Sequence, residues 1–163
     1  MSVYEFPKLF VEGIDGEEYL EITDNSAKIS KEPSSPKLGK VPLEIDLEEI
    51  VDLLGERVKR SFAVYNPRKK VVIYVREGTP IKILRVDHKK VLIELSEGDE
   101  INLDSTYAHG ITSKGEYRRF RSKVKGIVVL VHWKPLGGRD IYHVIVAERN
   151  AVKMVPLSDG KDY

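Results

Sequence analysis

A chain of 163 residues, 41% hydrophobic and 33% charged, has the length and composition of a soluble protein with one domain or two very small ones. The absence of cysteine excludes disulfides, thiolate zinc sites, iron–sulfur clusters and cysteine nucleophiles. The net charge is +1, but residues 1–56 hold 14 acidic against 5 basic side chains and the remainder holds 12 against 22, so the two parts carry −9 and +10. We interpret this asymmetry as two parts that attract each other, with a basic binding face as the alternative.

Glutamine is absent, methionine occurs twice, and Lys, Glu and Arg are abundant, a composition typical of hyperthermophile proteins. Residues 1–10 lack the basic region and apolar core of a secretory signal, and the longest apolar run, 127–131, is too short to cross a bilayer. We therefore expect a thermophilic source, a cytoplasmic location and no membrane partner.

The first 58 residues predict two short strands, a long loop and one helix. The strands lie at 3–11 and 19–22, and the loop at 25–40 is rich in serine and poor in apolar residues. The helix is predicted over 46–58, because Asp46 can cap its first turn and Glu49 completes a capping box. Apolar residues then recur on one helical face, at Leu47, Ile50, Val51, Leu54 and Val58.

From residue 61 onward the chain predicts short strands separated by turns, a spacing typical of a sandwich or barrel. These strands are predicted at 61–65, 70–76, 81–86, 91–95, 101–103, 106–111, 116–124, 127–133, 141–147 and 151–155.

Residues 97–132 contain a Gly-Asp turn at Gly98-Asp99, a hairpin tip centred on Lys114, and a strand that begins at Gly126-Ile127. This order of glycines, lysine and apolar pairs resembles the biotinyl/lipoyl-type carrier domain, a barrel-sandwich hybrid that displays a lysine on a tight turn. The resemblance implies such a sandwich over residues 71–156, with Lys114 as the carrier lysine for biotin or lipoate.

The residues beside Lys114 match neither the methionines that flank the lysine of biotinyl domains nor the Glu-Thr-Asp that precedes the lysine of lipoyl domains. We therefore expect Lys114 to be unmodified, with biotin or lipoate as the alternative. The whole chain also resembles an uncharacterised archaeal protein family in which such a sandwich carries an extra N-terminal segment.

A basic, aromatic strand follows the tip. If the strand alternates regularly, Tyr117, Arg119, Arg121 and Lys123 share one face. Cations neutralise phosphates and aromatic rings stack on bases, so this face is a candidate surface for single-stranded nucleic acid. A solvated outer face of a sheet is the alternative interpretation.

Gly137-Gly138 between two apolar runs predicts a two-residue hairpin. Residues whose numbers sum to 275 then lie opposite each other, so His132 faces His143 and Trp133 faces Tyr142. Two opposed imidazoles are near enough to share a divalent metal, although zinc requires further ligands. A hydrogen-bonded histidine pair without metal is the alternative.

The chain contains no P-loop, dinucleotide-binding, Gly-x-Ser-x-Gly or His-Glu-x-x-His motif, so an enzyme is the least supported class. We predict a mainly β protein with an N-terminal α+β segment (1–70), a lipoyl/biotinyl-like sandwich (71–156) and a tail (157–163). The expected function is a non-catalytic carrier-like or adaptor module with another protein as its partner. Nucleic-acid binding and metal binding are the alternatives, and homo-oligomerisation is left open.

Overall fold

A computed structural model describes residues 6–158 and is mainly β, with a nearly closed, barrel-like sheet. The first sheet has seven strands in the order β16-β8-β7-β1-β4-β2-β3, and every pair in it is antiparallel. Its strands are β1 (Lys8–Glu12), β2 (Tyr19–Ile22), β3 (Ala27–Ser30), β4 (Leu38–Val41), β7 (Phe62–Asn66), β8 (Val71–Val75) and β16 (Lys153–Pro156). A separate two-stranded ribbon joins β5 (Val51–Asp52) to β6 (Arg57–Val58).

The remaining strands form two smaller antiparallel sheets. The four-stranded sheet has the order β11-β14-β15-β9, and the three-stranded sheet has the order β10-β12-β13. Their strands are β9 (Lys82–His88), β10 (Lys90–Ile93), β11 (Glu100–Ile101), β12 (Thr106–Ile111), β13 (Tyr117–Arg121), β14 (Gly126–Leu136) and β15 (Arg139–Ala147).

The four-stranded sheet is the central layer, because residues from its two faces belong to two different cores. One core joins β14 and β15 to the seven-stranded sheet through residues such as Leu130, Ile145 and Phe62. The other core joins them to the three-stranded sheet through residues such as Val128, Val144 and Ala108. The three-stranded sheet therefore packs one face inward and leaves the opposite face to the solvent.

The predicted turn at Gly98-Asp99 is hydrogen-bonded to β14 near the start of that strand. The backbone N–H of Gly98 donates to the carbonyl oxygen of Val128 at 2.8 Å, and the Val128 N–H donates to Asp99 at 2.9 Å. The preceding Glu97 is buried, and its carboxyl group accepts the Val131 N–H at 2.8 Å. Burial raises the pKa of Glu97 above the usual value of a carboxyl group, although the Val131 hydrogen bond opposes that shift.

The helix predicted over 46–58 is wrong. Asp46 does cap a turn, since its carboxylate accepts the Glu48 N–H at 3.1 Å, but only a 3-10 turn, Leu47–Glu49, follows. The chain then reverses between β5 and β6, where the Asp52 carboxylate accepts the Gly55 N–H at 3.0 Å. Leu54, which the helical pattern placed on the buried face, is 98% exposed at this reversal. Local turn chemistry at Asp52 and Gly55 is therefore preferred over the amphipathic helix.

The loop predicted over 25–40 is also wrong in part, because β3 and β4 lie within it. Leu20 of β2 lies opposite Ile29 of β3, and Leu38 of β4 is buried in the core. The two prolines and the Ser34-Ser35 pair lie in the connection between these two strands, whereas Ser26 precedes β3 and Ser30 ends it. Gly39 allows β4 to approach its neighbours, since a Cβ there would lie 2.0 Å from the Ile14 carbonyl oxygen.

Most strands predicted after residue 61 are confirmed to within a few residues, and β12 has the predicted bounds. β8 and β16, from the predicted sandwich, join the sheet of the N-terminal strands. The division at residue 70 stays a prediction. Residues 3–5 of the first predicted strand and residues 159–163 of the predicted tail lie outside the described residues. Within residues 6–158, no helix has the length and apolar character needed to span a bilayer.

Candidate functional site

Lys114 lies at the exposed tip of the β12–β13 hairpin, as the sequence predicted. The tip is held by Thr112, whose N–H donates to the Glu116 carbonyl and whose own carbonyl accepts the Gly115 N–H, both at 2.9 Å. Gly115 has a φ of +84°, a conformation that favours glycine and allows the tight reversal. The amine is thus displayed on a short, hydrogen-bonded turn.

The solvent-facing side of the three-stranded sheet, which we term the outer face, carries apolar and cationic side chains in two cross-strand rows. In one row β10, β12 and β13 contribute Lys90, Ile111 and Tyr117. In the next row they contribute Leu92, His109 and Arg119. Three of these side chains are large, apolar and unusually exposed: Leu92 (64%), Tyr117 (61%) and Ile111 (42%).

His109 joins the strands of the outer face through its two ring nitrogens. Nε2 contacts the Glu94 carboxylate, and Nδ1 contacts the Tyr117 hydroxyl. The His109 and Tyr117 rings also stack, with centroids 5.5 Å apart and planes inclined by 22°. Because a carboxylate only accepts hydrogen bonds, Nε2 carries a proton in its contact with Glu94. The Tyr117 ring is therefore held in place by a chain of contacts across all three strands.

Three of the four residues predicted for nucleic-acid binding, Tyr117, Arg119 and Arg121, lie along β13 at alternate positions. Lys123 lies beyond the end of the strand. The Ser122 hydroxyl donates to the Val124 carbonyl at 2.7 Å and accepts the Val124 N–H at 3.0 Å, so the chain turns there instead of continuing the ladder.

Lys123 lines a neighbouring cleft of about 430 Å³ between the ends of the sheets. Four basic and two acidic residues line this cleft: Arg57, Lys82, Lys123, Lys125, Glu56 and Glu148. Lys82 and Glu56 approach to 3.8 Å, so the other three basic groups face one remaining carboxylate. The cleft therefore extends the positive charge of β13.

The cations from the tip to this cleft form no ion pair with any residue in 6–158. We term them the basic strip: Lys114, Arg118, Arg119, Arg121, Lys123 and Lys125. By contrast, Arg139 and Arg85 on β15 and β9 both pair with Asp87. The strip is thus a concentration of like charge without an ion pair among residues 6–158.

The predicted register of the histidine hairpin is confirmed. Gly137 and Gly138 both have positive φ, +60° and +78°, and β14 pairs with β15 so that His132 faces His143 and Trp133 faces Tyr142. His132 is only 5% exposed, and its Nε2 donates to the Ile45 carbonyl oxygen at 2.8 Å. Ile45, directly before the segment that was predicted as a helix, therefore contacts this hairpin.

The two histidines and residues 44–48 line a cavity of about 340 Å³. The Nδ1 atoms of His132 and His143 are both buried and have no hydrogen-bond partner among residues 6–158. Burial lowers the pKa of His143, and electrostatic interactions with Arg85, His132 and Lys134 lower it further. Within the described part of the chain, no three His, Cys, Asp or Glu side chains are grouped closely enough to hold a metal ion by themselves.

Sequence reasoning missed the partners of β13 on the outer face, including His109, Leu92 and Ile111. A signal for two of them was present. The tip centred on Lys114 pairs residues whose numbers sum to 228, which places His109 opposite Arg119 and Ile111 opposite Tyr117. Leu92 had no such signal, because its pairing with β12 spans a longer connection.

A family model described as "Uncharacterized protein conserved in archaea (DUF2118)" matches residues 4–149. This agrees with the archaeal family expected from the sequence. No curated protein matches the chain. The family description carries no activity, so the function has to be argued from the outer face and the basic strip.

Proposed function

We propose that this protein, which belongs to that uncharacterised archaeal family, is a non-catalytic binding module whose outer face and basic strip bind single-stranded nucleic acid. The observation that carries the proposal is the unpaired basic strip beside exposed Tyr117. Nucleic-acid binding was the alternative to the carrier-like or adaptor role expected from the sequence, whose partner was another protein.

The electrostatic support is that no cation of the basic strip forms an ion pair with a carboxylate among residues 6–158. A cation that already pairs with a carboxylate must give up that contact before it neutralises a phosphate, whereas the strip side chains make no such exchange. Each phosphate contact releases condensed counterions, which favours binding at low salt. Glu116 is the nearest carboxylate to the strip in the hairpin sequence. Glu94 is the carboxylate on the outer face, and it contacts His109.

The apolar support comes from the exposed side chains between the cations. Sheets that bind RNA stack bases on aromatic side chains that project from adjacent strands. Tyr117 offers such a ring beside Ile111, and Leu92 lies in the next row. Because His109 restrains the Tyr117 ring, stacking a base on it costs little additional side-chain entropy.

Single strands fit this surface better than duplexes. The middle of the strip, Arg118 to Arg121, follows one extended strand whose five residues span about 17 Å, and the exposed Tyr117 ring requires an unpaired base. No long helix is available among residues 6–158 to enter a major groove, which is the common route to duplex recognition.

The test measures binding of a fluorescently labelled oligothymidylate of about 12 nucleotides by anisotropy, at low salt. Arg119→Ala/Arg121→Ala should weaken binding strongly. The matched control, Lys28→Ala/Lys31→Ala, removes the same charge from exposed positions on and beside β3, at the edge of the seven-stranded sheet, and should bind almost as wild type. Equal weakening of both variants would attribute binding to net charge alone, and no binding by wild type would reject the proposal.

Lys114 favours a second candidate, a carrier role. The supporting observation is its exposed position on a turn tied to Thr112, next to a glycine at positive φ. We propose on the same basis that strands β9 to β15 form a barrel-sandwich hybrid like that of biotinyl and lipoyl domains. The flanking Ser113 and Gly115 differ from both modification motifs, which ranks this role below nucleic-acid binding.

The intact mass of the protein from its native host tests the carrier role. A mass increase of one biotinyl or lipoyl group that disappears in Lys114→Arg would support it, and an unmodified mass would reject it. We also propose a hyperthermophilic source and a cytoplasmic location on the composition alone.

A further inference from the structure

The cavity between the β14–β15 hairpin and residues 44–48 is lined by two histidines, each with a buried ring nitrogen that has no hydrogen-bond partner among residues 6–158. Buried polar atoms in folded proteins nearly always have a partner. Here the Nδ1 atoms of His132 and His143 both lack one among residues 6–158, although the side chains lie directly opposite each other. Two such atoms at one cross-strand position form a site and not an isolated packing defect.

The hydrogen bond from His132 fixes the chemistry of its ring. A carbonyl oxygen cannot donate, so Nε2 of His132 carries the proton that bonds to Ile45, and Nδ1 of the neutral ring presents a lone pair. Metal-binding histidines usually donate their other ring N–H to a carbonyl or carboxylate in this way, which orients the ring and makes the ligand nitrogen more basic. His132 is therefore preorganised as a ligand.

The surroundings suit a cation. Three carboxylate residues, Glu44, Asp46 and Glu48, line the cavity with one lysine, Lys134, so the lining carries a formal charge of −2. The cavity has a volume of about 340 Å³. Arg85 lies opposite His143 on β9, but its guanidinium pairs with Asp87 at 3.2 Å.

We propose that His132 and His143 bind one first-row transition-metal dication through their Nδ1 atoms, with waters completing the coordination shell. Imidazole nitrogen suits zinc, copper and nickel, whereas magnesium and calcium prefer oxygen. Two protein ligands leave open positions, so this is an exchangeable site and not a closed structural one. The proposal is independent of the outer face, because the two sites share no residue.

The chain has four histidines, which allows every imidazole to be tested. Untagged protein freed of metal with a chelator is titrated with Zn²⁺ by calorimetry, and with Cu²⁺ by electron paramagnetic resonance, whose nitrogen splitting counts bound imidazoles. His143→Ala and His132→Gln remove one ligand each. His88→Ala and His109→Ala are the controls, since neither residue lines this cavity.

Wild type and both controls should bind one ion per chain with two nitrogen donors, and His143→Ala should weaken binding by about 10-fold or more with one donor left. Circular dichroism confirms that each variant is folded. If His132→Gln does not fold because His132 is buried, His143→Ala still tests the site, since His143 is only half-buried. Wild type that binds neither ion, or folded His143→Ala with unchanged Zn²⁺ affinity, would overturn the proposal.

Discussion

Replacing Arg119 and Arg121 with alanine should flatten the salt dependence of single-strand binding as well as weaken it. Both side chains are exposed on β13 and pair with no carboxylate among residues 6–158. For single strands, the logarithm of the binding constant falls with the logarithm of salt with a slope of about −0.7 per neutralised phosphate. The slope therefore counts the cations that contact phosphate.

The magnitude follows from the residues in place. If Arg119, Arg121 and Lys123 each neutralise one phosphate, the slope is about −2.1, and affinity falls about 20-fold between roughly 50 and 200 mM salt. The double variant retains one of these contacts, so its slope is about −0.7 and its affinity falls only about 3-fold over the same range. If the whole basic strip contacts phosphate, the wild-type slope is about −4.

Anisotropy titrations of wild type, the double variant and Lys28→Ala/Lys31→Ala at four salt concentrations measure these slopes. The control should keep the wild-type slope, because its two lysines lie at the far edge of the other sheet. A double variant whose slope equals that of wild type would refute the reasoning, even if its affinity were lower. It would mean that the arginines act through folding or through bases and not through phosphates.

Three further measurements test the outer face and the fold. Tyr117→Ala should weaken single-strand binding by about 5- to 150-fold, the range expected for one stacked base, while Tyr117→Phe should keep most of the affinity; equal loss in both would exclude stacking. The free energy of unfolding of Glu97→Gln should rise relative to that of wild type as the pH increases above about 4.3, the usual pKa of a glutamate side chain. The raised pKa of Glu97 means that folded protein keeps a proton that unfolded protein loses in this window, so the wild-type free energy of unfolding falls there, by at most about 1.4 kcal/mol for each pH unit. Urea unfolding of both proteins at several pH values checks this, and a constant difference would contradict it. Gly126→Ala should destabilise more than Gly115→Ala, because both glycines have positive φ but only a Cβ at Gly126 would meet backbone, at 2.4 Å from the Ala147 carbonyl oxygen. The backbone conformation should lower the free energy of unfolding by about 1–3 kcal/mol in each variant, and the clash should lower it by about 1–3 kcal/mol more in Gly126→Ala. Equal losses of stability in urea unfolding would show that the clash relaxes.

The histidine hairpin could be predicted because its register is a local property. Two consecutive glycines fix a two-residue turn, and the turn then fixes every opposite pair along β14 and β15. His132 and His143 therefore follow from numbering alone. The cavity around them could not be predicted, since residues 44–48 reach it from a distant part of the chain.

The helix prediction was wrong because the apolar repeat fits both a helix and a short hairpin, and the residues that distinguish the two were given too little weight. Val51 and Val58 fit a helical face at i and i+7, and they also fit facing positions of a short hairpin, which is how they pair. Asp52 and Gly55 decide between the two, because the Asp52 side chain closes a turn that an α-helix does not require. The turn signal at Asp52 and Gly55 therefore predicts the observed hairpin of β5 and β6 better than the apolar repeat predicts a helix.

The nucleic-acid face was predicted for one strand only, and its extent depended on details beyond alternation. The strand ends at Arg121 because the Ser122 hydroxyl bonds to the backbone of Val124, which removes Lys123 from the ladder. The apolar neighbours from β10 and β12 require tertiary pairing, which no local rule supplies.

The charge asymmetry of the chain supports the binding proposal once its partners are known. Sequence reasoning interpreted the acidic residues 1–56 and the basic remainder as two parts that attract each other. Of the ten ion pairs within residues 6–158, only Lys82–Glu56 and Lys153–Asp24 join the two parts, at 3.8 and 4.0 Å. Direct pairing therefore neutralises little of the basic excess, and the basic strip keeps its field. An anionic strand is then attracted to β13 and repelled by the acidic side chains of residues 6–56, most of which lie outside the strands.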